Sequence, residues 1–380
     1  MVENLTMPIG FNAPPRPRRV ARCLALLLAL GLVAAACADD DDSAAAGASD
    51  EGGGESAGDT GAEAEPSGSL RLGYFPNVTH APAIIGVQDG LFEEALGDGV
   101  ELDTTTFNAG GEAIEALFSD AIDATFVGPN PAINGFSESE GTALRIVAGT
   151  TSGGASLVVR EGIDSPDDLE GTTLATPALG NTQDVALRAW LLDQGYETDQ
   201  AGGGDVSITP QDNPDTLTAF QQGDIDGAWL PEPWATRLIL EGEGQVLVDE
   251  ADLWPEGEFV TTHLIVATEY LEEHPANVRA LIDGLLQAID VANGDAAEAQ
   301  TITNDGIEAD TTDRLADETI AGAWENLSFT SDPIASSLEE SKDDAVEVEL
   351  LDEVDLDGIY DLAILNELLA ERSEAEVDGL

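Results

Sequence analysis

The residues best placed to do chemistry in this sequence are neutral hydrogen-bond donors gathered at turns. Asn77-Val-Thr-His80 follows a short apolar run and opens a helical pattern. Its amides and the side chains of Asn77, Thr79 and His80 can face a ligand, because a helix N-terminus attracts anions. The plainer role is capping, with His80 on the surface. Thr150-Thr-Ser-Gly-Gly154 follows another strand pattern. There Thr151, Ser152 and Gly153 could wrap an oxyanion, supply a permissive hinge, or do both. In Pro177-Ala-Leu-Gly-Asn-Thr-Gln183, Gly180 permits close backbone approach, and Asn181, Thr182 and Gln183 bring donors to a helix start. That turn lacks the Gly-Lys-Ser/Thr of a phosphate loop, so an ordinary N-cap is the competing reading. The fourth turn runs from Trp229 to Trp234. Trp229 could wall an organic ligand. Glu232 could bind an amine, accept from a ligand hydroxyl, or pair with Arg237, whereas Trp234 is read as core.

Catalytic and metal chemistry find little support. The three histidines have no metal-ligand spacing, and no Gly-x-Ser-x-Gly elbow occurs. Lys342 is the single lysine, and the two cysteines, Cys23 and Cys37, both precede the body. The acidic stretch Asp352–Gly358 suggests a calcium loop until position twelve, which is Ile364 where a bidentate Glu is required. No enzyme activity, metal or cofactor is expected. With 76 Asp+Glu against 13 Lys+Arg and a net charge of −63, phosphate backbones are repelled and nucleic-acid binding is excluded. The acidic residues are spread along the whole chain, which suits a hydrated surface in high salt, as in a halophile.

Before the body stands a processing pattern. Arg16-Pro-Arg-Arg-Val-Ala-Arg22 precedes an apolar run from Leu24 to Ala36, too short to span a bilayer and suited to a signal-peptide core. It ends Val33-Ala-Ala-Ala-Cys37, which resembles a bacterial lipoprotein signal with Ala34 where Leu is usual. The expectation is a signal peptide over 1–36, lipidation at Cys37, and a flexible polar tether over 37–68.

From Leu70 the chain alternates strand and helix patterns as far as Val266, and then turns almost wholly helical to Leu369. This alternation predicts an α/β architecture with ligands at the carboxyl ends of strands. An internal near-repeat supports two related lobes. Phe118-Ser-Asp-Ala-Ile-Asp-Ala-Thr-Phe-Val-Gly-Pro-Asn-Pro131 parallels Phe220-Gln-Gln-Gly-Asp-Ile-Asp-Gly-Ala-Trp-Leu-Pro-Glu-Pro233. Each Pro-x-Pro must end its strand, and holds Asn130 or Glu232 inside the turn.

The sequence resembles the type II periplasmic binding proteins for nitrate, sulfonate, taurine and related solutes. The likeness is carried by Gly73-Tyr-Phe-Pro-Asn-Val-Thr-His-Ala-Pro-Ala83, Asn108-Ala-Gly-Gly111, Ile122-Asp-Ala-Thr-Phe-Val-Gly128 and Asp168-Leu-Glu-Gly171. Trp229-Leu-Pro-Glu-Pro-Trp234 and Val354–Asp361 complete it. The resemblance implies two α/β lobes with an interlobe cleft, and C-terminal helices returning to lobe one. Lobe one would take residues 69–152 and 264–372, lobe two 153–263, and a short tail 373–380. Gly128 and Asn130 join the expected ligand contacts on the same ground. It further implies a monomer outside the cytoplasmic membrane that binds a small oxyanion-bearing solute, an aliphatic sulfonate, nitrate or bicarbonate, and delivers it to an ABC permease. An amine or a thiamine-precursor pyrimidine is the alternative ligand, and a sensor lipoprotein without transport is the alternative role. The fungal pyrimidine-phosphate synthases of this fold need a cysteine cluster and a cofactor lysine, and the body has neither.

Overall fold

Apolar runs buried on both faces mark the centres of two sheets. The computed structural model describes residues 65–380, so the signal peptide, Cys37 and nearly all of the tether lie outside the described residues. The chain begins with β1 (Gly68–Tyr74), a single helical turn at Val78–His80, α1 (Ala81–Gln88) and α2 (Leu91–Leu96). Gly90, at φ 70°, separates the two helices. Then come β2 (Val100–Thr106), α3 (Gly110–Phe118), β3 (Ala124–Val127), α4 (Pro129–Glu138) and β4 (Leu144–Gly153).

The chain next passes directly into β5 (Ala155–Val159), through Gly153 and Gly154 at φ 80° and 76°. It continues with β6 (Thr173–Thr176), α5 (Thr182–Asp193), β7 (Ser207–Pro210), α6 (Asn213–Gln222), β8 (Gly227–Pro231), α7 (Trp234–Gly242) and β9 (Gln245–Asp249). After β10 (Val260–Ala267) follow α8 (Thr268–Glu273), α9 (Pro275–Ala292), α10 (Ala296–Thr311) and α11 (Asp317–Glu325). A three-residue strand, β11 (Leu327–Phe329), precedes α12 (Ala335–Glu347) and α13 (Ala363–Glu371).

The first sheet has the order β11-β4-β10-β3-β1-β2, and the second β7-β6-β8-β5-β9. Parallel pairs (β1 with β2 and β3, β6 with β7 and β8) sit beside antiparallel ones made by β10 and β5. Both Pro-x-Pro segments do what their chemistry requires. Pro129 to Pro131 ends β3 and opens α4, and Pro231 to Pro233 ends β8 and opens α7. These strands hold equivalent places beside the central antiparallel strand of each sheet, which is the structural content of the repeat. The late helices pack on the first sheet, where Leu281, Leu285, Leu365 and Leu369 share a core with Leu70, Leu72 and Phe126. Among the described residues no helix is long and apolar enough to cross a membrane. No group of His, Cys, Asp and Glu there is placed to hold a metal.

Candidate functional site

Three helix N-termini face one another between the two sheets. A small cavity of about 40 Å³ lies there, walled by Asn77, Thr79, His80 and Gly128 from the first sheet's side. Asn181, Thr182, Gln183 and Asn213 close it from the second. The helix starts are those of α3 at Gly110, α5 at Thr182 and α6 at Asn213, and their unpaired first-turn amides supply a positive partial charge. No Lys, Arg, Asp or Glu lines the cavity.

Local sequence chemistry fixes each donor. Asn181 is the N-cap of α5, its side-chain oxygen accepting from the Asp184 amide at 3.0 Å. Asp184 is fully buried and accepts from the Thr176 hydroxyl (2.7 Å), the Gly180 amide (2.9 Å) and Arg188 Nε (2.9 Å), so the turn is tied down from below. Gly180 has φ 72°, a left-handed conformation that glycine adopts without strain. On the opposite wall, His80 stacks on Phe75 with ring centroids 4.5 Å apart. Its Nδ1 accepts from the Phe75 amide at 3.4 Å, which leaves the ring hydrogen on Nε2 as a donor. Burial pushes the His80 pKa down to about 3, so the imidazole is neutral at any ordinary pH.

Seven of the expected contacts therefore meet at the cavity: Asn77, Thr79, His80, Gly128, Asn181, Thr182 and Gln183. The other seven lie elsewhere. Gly180 shapes the turn without lining the cavity, and its carbonyl accepts from Asn134 at 3.2 Å. Asn130 is buried against α12, donating to the Ser341 carbonyl at 3.1 Å. Thr151, Ser152 and Gly153 belong to β4 and pair with β10 and β11, so their backbone forms the passage between the sheets and does not line the cavity. Trp229 is fully buried in the second sheet's core, and its indole donates to Glu250 at 2.6 Å. Glu232 is occupied: Thr236 donates to it through amide (3.1 Å) and hydroxyl (2.9 Å), and Asn326, at the end of α11, at 2.7 Å. It does not pair with Arg237, whose guanidinium bonds Glu241 at 2.6 Å and covers the Trp234 ring at 4.6 Å. Burial raises the Glu232 pKa, and the three donors oppose that rise.

Trp234 corrects the core reading made from its sequence position. It is only half-buried, and its Nε1 donates across the cleft to Asn77 at 2.9 Å. Sequence reasoning did not single out Asn108, Gly110, Asn213 and Thr261 as cavity residues. Asn213-Pro214 is a turn dipeptide that could have drawn attention to the start of α6. Gly110 lies in the Asn108-Ala-Gly-Gly111 stretch already noted in the sequence, and a Cβ there would sit 2.3 Å from Pro131 Cγ.

The Trp229 partner yields a pH prediction. Burial raises the Glu250 pKa to about 7, chiefly through desolvation. The folded state then binds a proton that the unfolded state releases near pH 4.5, so this contribution to stability is lost as pH rises from about 4.5 through 7. Glu250→Gln, which keeps an acceptor for the indole, should raise stability at pH 8 by on the order of 2 kcal/mol and leave it nearly unchanged at pH 4. Urea melts at the two pH values check it, and equal effects at both would refute the assignment.

Residues 63–304 match the NMT1-like family. The taurine-binding periplasmic protein of Escherichia coli (strain K12) is 29% identical over 208 residues, which is 54% of this chain and 62% of that protein. The matched stretch thus spans less than two thirds of that relative. Among solved structures, the alkanesulfonate-binding protein of Xanthomonas axonopodis pv. citri, bound to MOPS, superposes with a TM-score of 0.63 at 19% identity, over 76% of this chain and 96% of its own. The periplasmic nitrate-binding protein of Synechocystis PCC 6803 gives 0.65 at 15%, over 80% and 89%. At these identities the structures establish the fold, a two-sheet periplasmic-binding-protein architecture. With more than half its length matched, the chain belongs to the NMT1-like family.

Proposed function

We propose that this protein is the extracytoplasmic solute-binding component of an ABC importer and holds a small oxyanion-bearing solute, a sulfonate first, between its two lobes. The observation that carries the reading is the cavity of uncharged donors at three helix N-termini. Such a site stabilises negative charge with fixed dipoles and needs no countercharge. The described arginines support this by being engaged elsewhere, as in the pairs Arg71–Asp123, Arg160–Asp226 and Arg188–Asp184. The amine and pyrimidine alternative rests on Glu232 and on the overall negative charge, and the Glu232 carboxylate is already engaged by Asn326 and Thr236. The names of the taurine- and alkanesulfonate-binding relatives point the same way.

A thermal-shift panel at high salt tests the ligand class, since stabilisation follows occupancy. Sulfonates, nitrate or bicarbonate should raise the melting temperature. A rise with amines or pyrimidines alone would replace this reading. We further propose a lipid anchor at Cys37, so that a Cys37→Ala chain leaves the membrane fraction while remaining folded. Persistence in that fraction would remove the anchor. Cleavage before Cys37 would take away four Arg and one Glu, bringing the charge from −63 to about −66. A surface so charged should gain melting temperature from dilute buffer to about 1 M KCl, where screening acts within ~3 Å. A flat or falling curve would argue against a saline habitat.

A further inference from the structure

Asn77 stands where a helix-capping residue belongs, and its side chain does not cap. It precedes the turn Val78–His80 with extended backbone, φ −121° and ψ 152°, as an N-cap does. An asparagine there ordinarily accepts from the amide two or three residues on, here Thr79 or His80. Neither bond forms. The His80 amide goes to the Asn77 main-chain carbonyl at 2.9 Å. The two halves of the remaining cap are both engaged by the other lobe. The Thr79 amide makes a long bond, 3.5 Å, to the Glu232 carbonyl, and the Asn77 side-chain oxygen accepts from Trp234 Nε1 at 2.9 Å.

We infer that Trp234 is a positioning residue: it exchanges a local cap for a cross-lobe bond, and so turns the Asn77 amide into a fixed donor when the lobes close. This rests on the oxyanion reading of the cavity. An indole N–H can only donate, so the Asn77 atom facing it is Oδ1 and the amide has one orientation. Its Nδ2 has no partner among the described residues, and Asn77 lines the cavity. What the amide offers a ligand is therefore a donor, which suits an oxyanion and opposes a cation. Trp234 does not itself line the cavity, so it acts through Asn77. Its ring is held for this role. Trp234 opens α7 directly after Pro231-Glu-Pro233, and the Arg237 guanidinium lies 4.6 Å above it, bound in turn to Glu241 at 2.6 Å. When the lobes part, the Trp234 indole and the Glu232 carbonyl withdraw together. The Asn77 oxygen and the Thr79 amide are then free to pair as an ordinary cap. The donor orientation thus belongs to the closed form, and discrimination between anion and cation is exerted as the lobes meet.

Calorimetric titration of the intact protein with methanesulfonate and with nitrate tests the inference, the tighter of the two being carried through the variants. Trp234→Phe keeps a ring beneath Arg237 and removes the donor. It should weaken binding by roughly tenfold, the upper worth of a neutral hydrogen bond. In an Asn77→Ala background the same change should alter affinity by less than about twofold, because the residue through which it acts is gone. A spectroscopic readout separates this role from a merely structural one. Of the five indole N–H groups, one should gain protection from solvent exchange when the anion saturates the wild-type protein, and it should be the one missing from Trp234→Phe. Unchanged affinity in Trp234→Phe, losses that add in the double variant, or no indole gaining protection would overturn this inference and leave the oxyanion site standing. If neither anion binds while an amine stabilises the protein, the oxyanion reading falls and this one with it.

Discussion

Asp184→Ala should cost about 3–5 kcal/mol of unfolding free energy, the range for removing one partner of a buried ion pair. Asp184 and Arg188 are 0% and 2% exposed and 2.9 Å apart, one helical turn from each other on α5. Without the carboxylate, the guanidinium stays buried with one terminal nitrogen already unpartnered, and the Thr176 hydroxyl and Gly180 amide lose their acceptor. The same substitution frees the turn that presents Asn181, Thr182 and Gln183, so ligand affinity should fall together with stability. Denaturant titration with an unchanged m-value measures the first effect, and calorimetry the second. Adding Arg188→Met should recover part of the stability by removing the stranded charge, but not the affinity. A loss below 1 kcal/mol for the single variant would mean the pair is not what holds the turn.

Gly128→Ala should weaken ligand binding by about ten- to hundredfold with little effect on the stability of the ligand-free protein. The backbone at Gly128 is extended, φ −71°, and accepts any side chain without strain. What forbids a methyl group is the other lobe, because a Cβ would lie 2.6 Å from Thr182 Oγ1. The added group would hold the lobes apart and lower the fraction of molecules able to close, and apparent affinity falls by that fraction. Thr182→Ala alone should also weaken binding, since Thr182 lines the cavity. Combined with Gly128→Ala it should strengthen binding relative to that single variant, because the next atoms, the Thr261 carbonyl oxygen at 3.5 Å and Thr182 Cβ at 3.7 Å, are at ordinary contact distance. Additive losses in this cycle would show that the effect of Gly128 does not pass through the lobe contact.

Much of the architecture was legible because its central strands are short runs buried on both faces, such as Ala124–Val127 and Ala155–Val159. The helix starts at Val78, Gly110 and Thr182 were legible for a similar reason, since turn chemistry is local. Other elements were hidden by their own exposure or composition. The edge strand β9 is half-exposed along its five residues and carries no burial pattern strong enough to read. The strand β11 has three residues. Thr150, Thr151 and Ser152 read as a loop because hydroxyls favour turns, yet their backbone is bonded on both sides in β4. At the site, the engagement of Trp229 was hidden because Glu250 lies 21 residues away. Glu232 has one partner within reach of a local reading, Thr236 four residues on, and one that no local pattern shows, Asn326 at a separation of 94.

The order of strands in the first sheet also dictates the order in which the molecule can be completed. Its central strand β10 and edge strand β11 follow the whole of the second sheet in the chain. The second sheet, by contrast, is made from one continuous stretch whose ends meet, Ser156 pairing with Asp249. As the polypeptide emerges from its N-terminus, the later stretch can therefore finish folding while β1 to β4 still wait. About a hundred residues separate β4 from β10. At about 5–20 residues per second, that leaves β3 and β4 without their shared neighbour for on the order of 5–20 s. An unpaired pair of apolar strands over that interval is an invitation to aggregate, so the nascent first lobe is where a holding chaperone would be needed.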